Sequence, residues 1–196
     1  MENKKMATDT QNVDADKEGG GGARKLKGMQ ASIIAVVALG LSLFAIYVNS
    51  FMNIQEIYRN IVFLGFVLIL GFSLYPAMKK GDKSKISTID LIWIIAGLSG
   101  TIYILFNYIV IHSVRISQAI TIDYVFAAIT IIALLEVARR SIGIFIPLLS
   151  LFAIVYALFG PYFPGVLGHA GFTLERLLFR FYMTTEGIFG MTLSIA

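Results

Sequence analysis

Apolar residues in this chain come in runs of about twenty, the length a helix needs to cross a hydrocarbon core. The runs cover roughly Met29 to Val48, Ile57 to Tyr75, Ile89 to His112, Ile122 to Ala138 and Ile142 to Phe159. Lipid offers no partner for a free N–H or C=O, so a spanning segment must satisfy its own backbone. The runs lack the short alternating pattern of a membrane barrel, which leaves helices. The expected fold is all-α and multi-pass, with about five transmembrane helices. Composition points the same way: 57% of residues are hydrophobic and 14% charged, against about a quarter charged in a soluble chain.

Several boundaries have local causes. The second run ends at Pro76, and the Ser87-Thr88 pair is placed to cap the third. The first run follows Arg24, Lys25 and Lys27, as a signal peptide would. It is longer than the roughly fifteen apolar residues of such a peptide, and Tyr47-Val48-Asn49-Ser50-Phe51 offers no small-x-small cleavage site, so an uncleaved anchor is expected. Residues Met1 to Gly28 hold few large apolar side chains and include Gly19-Gly20-Gly21-Gly22, a composition that predicts a disordered tail. Those glycines are not a phosphate loop, because the Gly-Lys-Ser/Thr ending is missing.

Orientation follows from lysine and arginine in the short loops, which favour the cytoplasmic side. Lys79, Lys80, Lys83 and Lys85 fill the second loop and Arg139 with Arg140 the fourth, matching the basic N-terminal tail. The opposite loops hold little beyond Arg59 and Arg115. The N-terminus is therefore expected in the cytoplasm of a cell-membrane protein, with Tyr162, Pro164 and His169 outside.

The net charge of +4 is divided into short clusters between apolar runs, a pattern suited to lipid phosphates and not to nucleic acid. With no cysteine, disulfides and thiolate metal sites are excluded. The two histidines, His112 and His169, belong to no HExxH or similar motif, and Asp90 and Asp123 lie at predicted helix ends. Neither an enzyme nor a bound cofactor is expected.

Glu136 is the clearest ionisable residue inside a span, and Arg139 and Arg140 follow three and four positions later. That spacing favours a structural ion pair over a proton relay. Asn107 is expected to hydrogen-bond a neighbouring helix. Ala31 and Ala35, Ala38 and Ser42, and Ala96 and Gly100 have the small-xxx-small spacing that lets helix backbones approach.

The last segment is amphipathic. Leu174, Leu177, Leu178, Phe181 and Tyr182 form one apolar stripe, Thr173 is a candidate cap, Glu175 suits the positive end of the dipole, and Arg176 and Arg180 share the polar face. An interfacial helix from Thr173 to Met183 is expected, its charges meeting lipid phosphate or an acidic partner.

The stretch Asp123-Tyr124 through Glu136-Val137-Ala138-Arg139-Arg140-Ser141-Ile142-Gly143, then Pro147 and Tyr156-Ala157-Leu158-Phe159-Gly160-Pro161-Tyr162-Phe163-Pro164-Gly165, resembles a known family. So do Gly171-Phe172-Thr173-Leu174-Glu175-Arg176-Leu177 and Tyr182-Met183-Thr184-Thr185-Glu186-Gly187-Ile188-Phe189-Gly190. Together they are similar to fused permeases of tripartite ATP-independent periplasmic (TRAP) transporters, in the branch paired with TAXI-type solute-binding proteins. The resemblance covers about residues 120 to 196. Residues 1 to 119 match only in general layout, and beyond the cytoplasmic tail at 1–28 the resemblance implies a four-helix small-subunit-like bundle at 29–141, and a connecting helix, external turn and amphipathic helix at 142–196 leading into a large elevator-type subunit. Met191-Thr192-Leu193-Ser194-Ile195-Ala196 corresponds to the opening of that subunit, so a truncated product or fragment is expected. The implied function is a scaffold in sodium-coupled uptake of an organic acid delivered by an extracytoplasmic solute-binding protein. Sodium and substrate sites would lie in the large permease subunit, outside this chain. Glu175, Arg176 and Arg180 become candidates for contact with the binding protein or lipid. The reading from a different class is a stand-alone membrane assembly or anchoring protein without transport.

Overall fold

The computed structural model describes residues 23–24, 26–51, 54–77, 85–115, 118–190 and 193. The tail before residue 23, the loop lysines Lys79, Lys80 and Lys83, and most of Met191 to Ala196 lie outside the described residues. Six helices are present among the described residues, in an all-α arrangement. They are α1 (Met29–Phe51), α2 (Glu56–Leu74), α3 (Thr88–Ile109), α4 (Thr121–Ser141), α5 (Phe145–Leu158) and α6 (Leu174–Leu178). Two are prolonged by a wider π-type turn, α3 through Val110–Val114 and α6 through Phe179–Met183.

Four helices, Met29–Ser50, Glu56–Leu74, Thr88–Val114 and Thr121–Ser141, are long and apolar enough to cross a membrane. The fifth apolar run is shorter than expected. Gly143 adopts φ 106°, a left-handed conformation that ends α4 and spends Ile142 to Ile144 on the turn. The 14 residues left for α5 reach roughly 21 Å, short of a hydrocarbon core of about 30 Å.

The expected starts and stops are in place where the chemistry was local. Helix α2 ends at Tyr75, just before Pro76, with the Tyr75 N–H donating to Gly71 O at 2.9 Å. Helix α3 begins after Ser87, whose N–H donates to the Asp90 carboxylate at 3.2 Å. Consecutive helices alternate in direction. The start of α3 and the end of α4 meet at one end, hereafter the charged end, where Asp90 contacts Arg140. At the opposite end, Tyr103 of α3 meets Asp123 in the first turn of α4.

Helix α2 is the centre of the bundle, burying Ile57, Ile61, Leu64, Leu68 and Phe72 on one face. Helices approach one another closely where a small residue lies at the contact. A Cβ on Gly100 would run into the Thr130 hydroxyl, and one on Gly71 into the Val137 side chain. The small-residue seam of α3 is thus Gly97 and Gly100, both buried, with Ala96 beside it and only half-buried. On α1 the expected pairs separate. Ala31 and Ala38 lie on the packed stripe with Ile34, while Ala35 and Ser42 are exposed, and Ser42 donates to Ala38 O of its own helix at 3.1 Å. Helix α1 lies at the edge of the bundle and leaves Val36, Leu39, Leu43 and Ile46 exposed, as lipid contact allows.

Candidate functional site

Two polar clusters close the bundle, one at each end. Both are built from side chains that apolar surroundings would penalise if left alone.

At the charged end Asp90, the third residue of α3, is fully buried. Arg140 at the end of α4 donates from Nη1 to Asp90 Oδ1 at 2.6 Å and from Nε to Glu136 Oε1 at 2.7 Å. The Arg140 guanidinium also lies 4.9 Å from the centre of the Phe72 ring, which stacks on Trp93. Arg139 binds Glu136 through both Nε and Nη2, each at 2.8 Å. The structure therefore brings Glu136, Arg139 and Arg140 together, one helical turn making the contact. It adds two partners that the sequence did not suggest. One is Asp90. The other is Arg24, which composition assigns to a disordered tail but which is buried, with Nη2 on Asp90 Oδ2 and its backbone N–H on Leu74 O at 2.8 Å. An ion pair with a buried acid holds the Arg24 side chain at this end of the bundle. Gln30 secures the same end, its side-chain oxygen accepting the Ile86 N–H at 3.1 Å.

At the opposite end Asp123 repeats the theme. Its carboxylate accepts from Tyr103 Oη, from Arg115 Nη1 at 2.7 Å and from the Ile120 N–H at 2.8 Å. Asn107 does not reach a neighbouring helix. Its amide donates to Tyr103 O, one turn back on α3, at 2.9 Å.

Other hydrogen bonds tie the bundle to residues 182–190, donated in both directions. Asn60 donates to Phe189 O at 2.9 Å, His112 Nε2 donates to Met183 O at 2.7 Å, and Tyr182 Oη donates to Gly100 O at 2.6 Å. Tyr182, Met183 and Phe189 are fully buried, and burial pushes the Tyr182 hydroxyl above the ordinary phenol range. Irregular backbone in apolar surroundings is tolerated where protein supplies its partners, which is what these groups do. Sequence reasoning missed them. A signal was available in Asn60, a polar amide at the start of the second turn of α2, within the apolar stripe of Ile57, Ile61 and Leu64.

The C-terminal helix begins where expected, with the Thr173 hydroxyl accepting the Arg176 N–H at 3.3 Å. Its apolar stripe is directed into the protein: Leu177 and Tyr182 are buried, while Leu174 stays exposed. Glu175, Arg176 and Arg180 are exposed. Arg180 has an acid within its own chain, Glu186, at 3.5 Å. Among the described residues, none of these three forms an ion pair with the Glu136 cluster. Between α5 and α6 the loop is pinned by His169, which accepts the Gly171 N–H on Nδ1 at 3.1 Å and donates from Nε2 to Tyr156 O at 3.2 Å.

Comparison with known proteins finds no matching family model, no similar curated protein and no similar solved structure. Four long apolar helices, closed at both ends by buried charge, make this chain a multi-pass helical membrane protein.

Proposed function

We propose that this chain is the scaffold portion of a TRAP-type permease, bracing a transport unit that moves an organic acid with sodium. The observation that supports it best is the grip of Asn60, His112 and the Gly100 carbonyl on residues 182–190. In the resembling permeases this stretch leads from the small-subunit-like bundle into the large subunit. A brace has to hold that junction still, and three hydrogen bonds from different parts of the bundle do so. The charged end faces the cytoplasm in this reading, following the loop-charge bias. Glu175, Arg176 and Arg180 then face outward, available to a solute-binding protein or to lipid.

The test is uptake into vesicles that contain this chain alone, or this chain together with the remainder of a TRAP-type permease and its binding protein. Sodium-dependent uptake is expected only in the complete mixture. Uptake by this chain alone would contradict the scaffold role. A chain that neither associates with the remainder nor alters its uptake would instead be a stand-alone assembly or anchoring protein.

A further inference from the structure

Among the described residues, the charged end holds more positive charge and more hydrogen-bond donors than its own acids and acceptors match. Among the described residues, three nitrogens of two buried guanidinium groups, Nε and Nη1 of Arg24 and Nη2 of Arg140, have no hydrogen-bond partner. The same is true of the buried hydroxyl of Ser73, the residue before the carbonyl that accepts the Arg24 N–H. These side chains are closed from solvent, Arg24 being 2% and Arg140 1% exposed, so bulk water does not satisfy them. Charge is unbalanced in the same direction. Among the described residues, Arg24, Arg139 and Arg140 meet two carboxylates, Asp90 and Glu136. The amino end of α3 adds its own partial positive charge.

We propose that Arg24 and Arg140 form a binding site for a phosphate-bearing anion at the charged end of the bundle. Phosphate suits the site because its oxygens accept from several directions, and guanidinium groups supply several donors each. Asp90 is the spacer. It keeps Arg140 on one oxygen and the Ser87 N–H on the other, so it remains satisfied when Arg24 turns toward an anion. Arg24 is the movable member, since it sits on a non-helical arm ahead of α1 while Arg140 is fixed in α4. Two sources share this chemistry. The ends of long apolar helices lie at the level of lipid headgroups, which offers a phospholipid phosphate, and the aqueous side offers free phosphate.

The full chain, purified in a phosphate-free maltoside detergent, would be titrated with inorganic phosphate and separately with phosphatidylglycerol, chloride being used to match ionic strength. Melting temperature reports binding, and native mass spectrometry reports retained lipid. A rise in melting temperature with at least one ligand is expected, and the ligand that produces it identifies the source. Arg24→Gln should weaken that response about tenfold, the worth of one charge-assisted contact, while Lys27→Gln, on the same arm, leaves it unchanged. Should Arg24→Gln fail to fold, Arg24→Lys is read in its place, because it keeps the charge and loses the guanidinium donors. No response of the parent to either ligand overturns the proposal. So does a folded Arg24 variant with the parent's affinity.

Discussion

Asp90 and Asp123 hold the same position in adjacent helices that run in opposite directions. Each is the third residue of its helix, accepts the N–H of the residue before the helix, and binds arginine. Their helices alternate in direction, so one carboxylate ends up at each end of the bundle. They differ in what they hold. Asp90 lies between two arginines that are 2% and 1% exposed, whereas Asp123 binds Arg115, which is 23% exposed, and a tyrosine hydroxyl.

Removing the Asp90 charge therefore leaves two buried cations without their shared acid. Asp90→Asn is expected to destabilise the bundle by about 3–5 kcal/mol, the range for breaking a buried pair from one side. Asp123→Asn should cost less, about 1–3 kcal/mol, because Arg115 can turn to solvent. Chemical unfolding in detergent or bicelles measures both, and an equal loss in the two variants would contradict the ranking.

Glu136 invites a functional reading because it is an acid inside a span, and its geometry argues for a milder role. Arg139 is 41% exposed and can be hydrated, and Arg140 keeps Asp90 when Glu136 is neutralised. Glu136→Gln should destabilise by about 1 kcal/mol. Under the proposed function, loss of sodium or proton dependence in a complete, folded assembly carrying this change would show a relay at Glu136.

How much of this was visible in the sequence depended on how local each cause was. The four long helices, the stop before Pro76, the start after Ser87 and the turn of helix joining Glu136 to Arg139 and Arg140 all follow from neighbours within a few residues. The pairing of Arg24 with Asp90 spans 66 positions, and that of Asn60 with Phe189 spans 129. No periodicity encodes which helix ends meet, so these contacts were illegible. Asn107 misled for the related reason that an amide in a helix can satisfy itself one turn back. The shortened fifth helix was legible in principle, since Gly143 follows the last turn of α4, but an apolar run conceals a single left-handed residue.

The seam between α3 and α4 should be intolerant of added volume. A Cβ at Gly100 meets the Thr130 hydroxyl and lies 3.3 Å from the Phe126 carbonyl oxygen. Gly100→Ala is expected to cost about 1–3 kcal/mol through overpacking. Adding Thr130→Ala should recover part of that loss, whereas the two changes would simply add if the residues did not touch. A double-mutant cycle in thermal unfolding decides between these outcomes.

Orientation can be read with single cysteines, because the native chain has none. Lys85 is exposed at the charged end and Val166 is fully exposed in the loop between α5 and α6. With the charged end in the cytoplasm, a membrane-impermeant thiol reagent added to intact cells should label Val166→Cys and not Lys85→Cys. Labelling of Lys85→Cys alone would invert the topology.

The docking of residues 182–190 into the bundle makes a prediction that separates anchoring from folding. Tyr182→Phe removes the hydroxyl that donates to Gly100 O and keeps the ring that packs against Phe189. The loss should be about 1 kcal/mol, plus whatever the carbonyl forfeits by staying buried. Because Asn60 and His112 hold other points of the same segment, the bundle itself should stay folded. The measurable change is local: amide hydrogen exchange from Tyr182 to Gly190 should speed up while that of α2, α3 and α4 stays at the parent's rate. Combining Tyr182→Phe with Asn60→Ala should accelerate exchange further, since two of the three fastenings are then gone. Uniform acceleration across all helices in Tyr182→Phe would mean that this segment is part of the folding core, not a junction held by the bundle. The proposed bracing role would then lose the observation that supports it best.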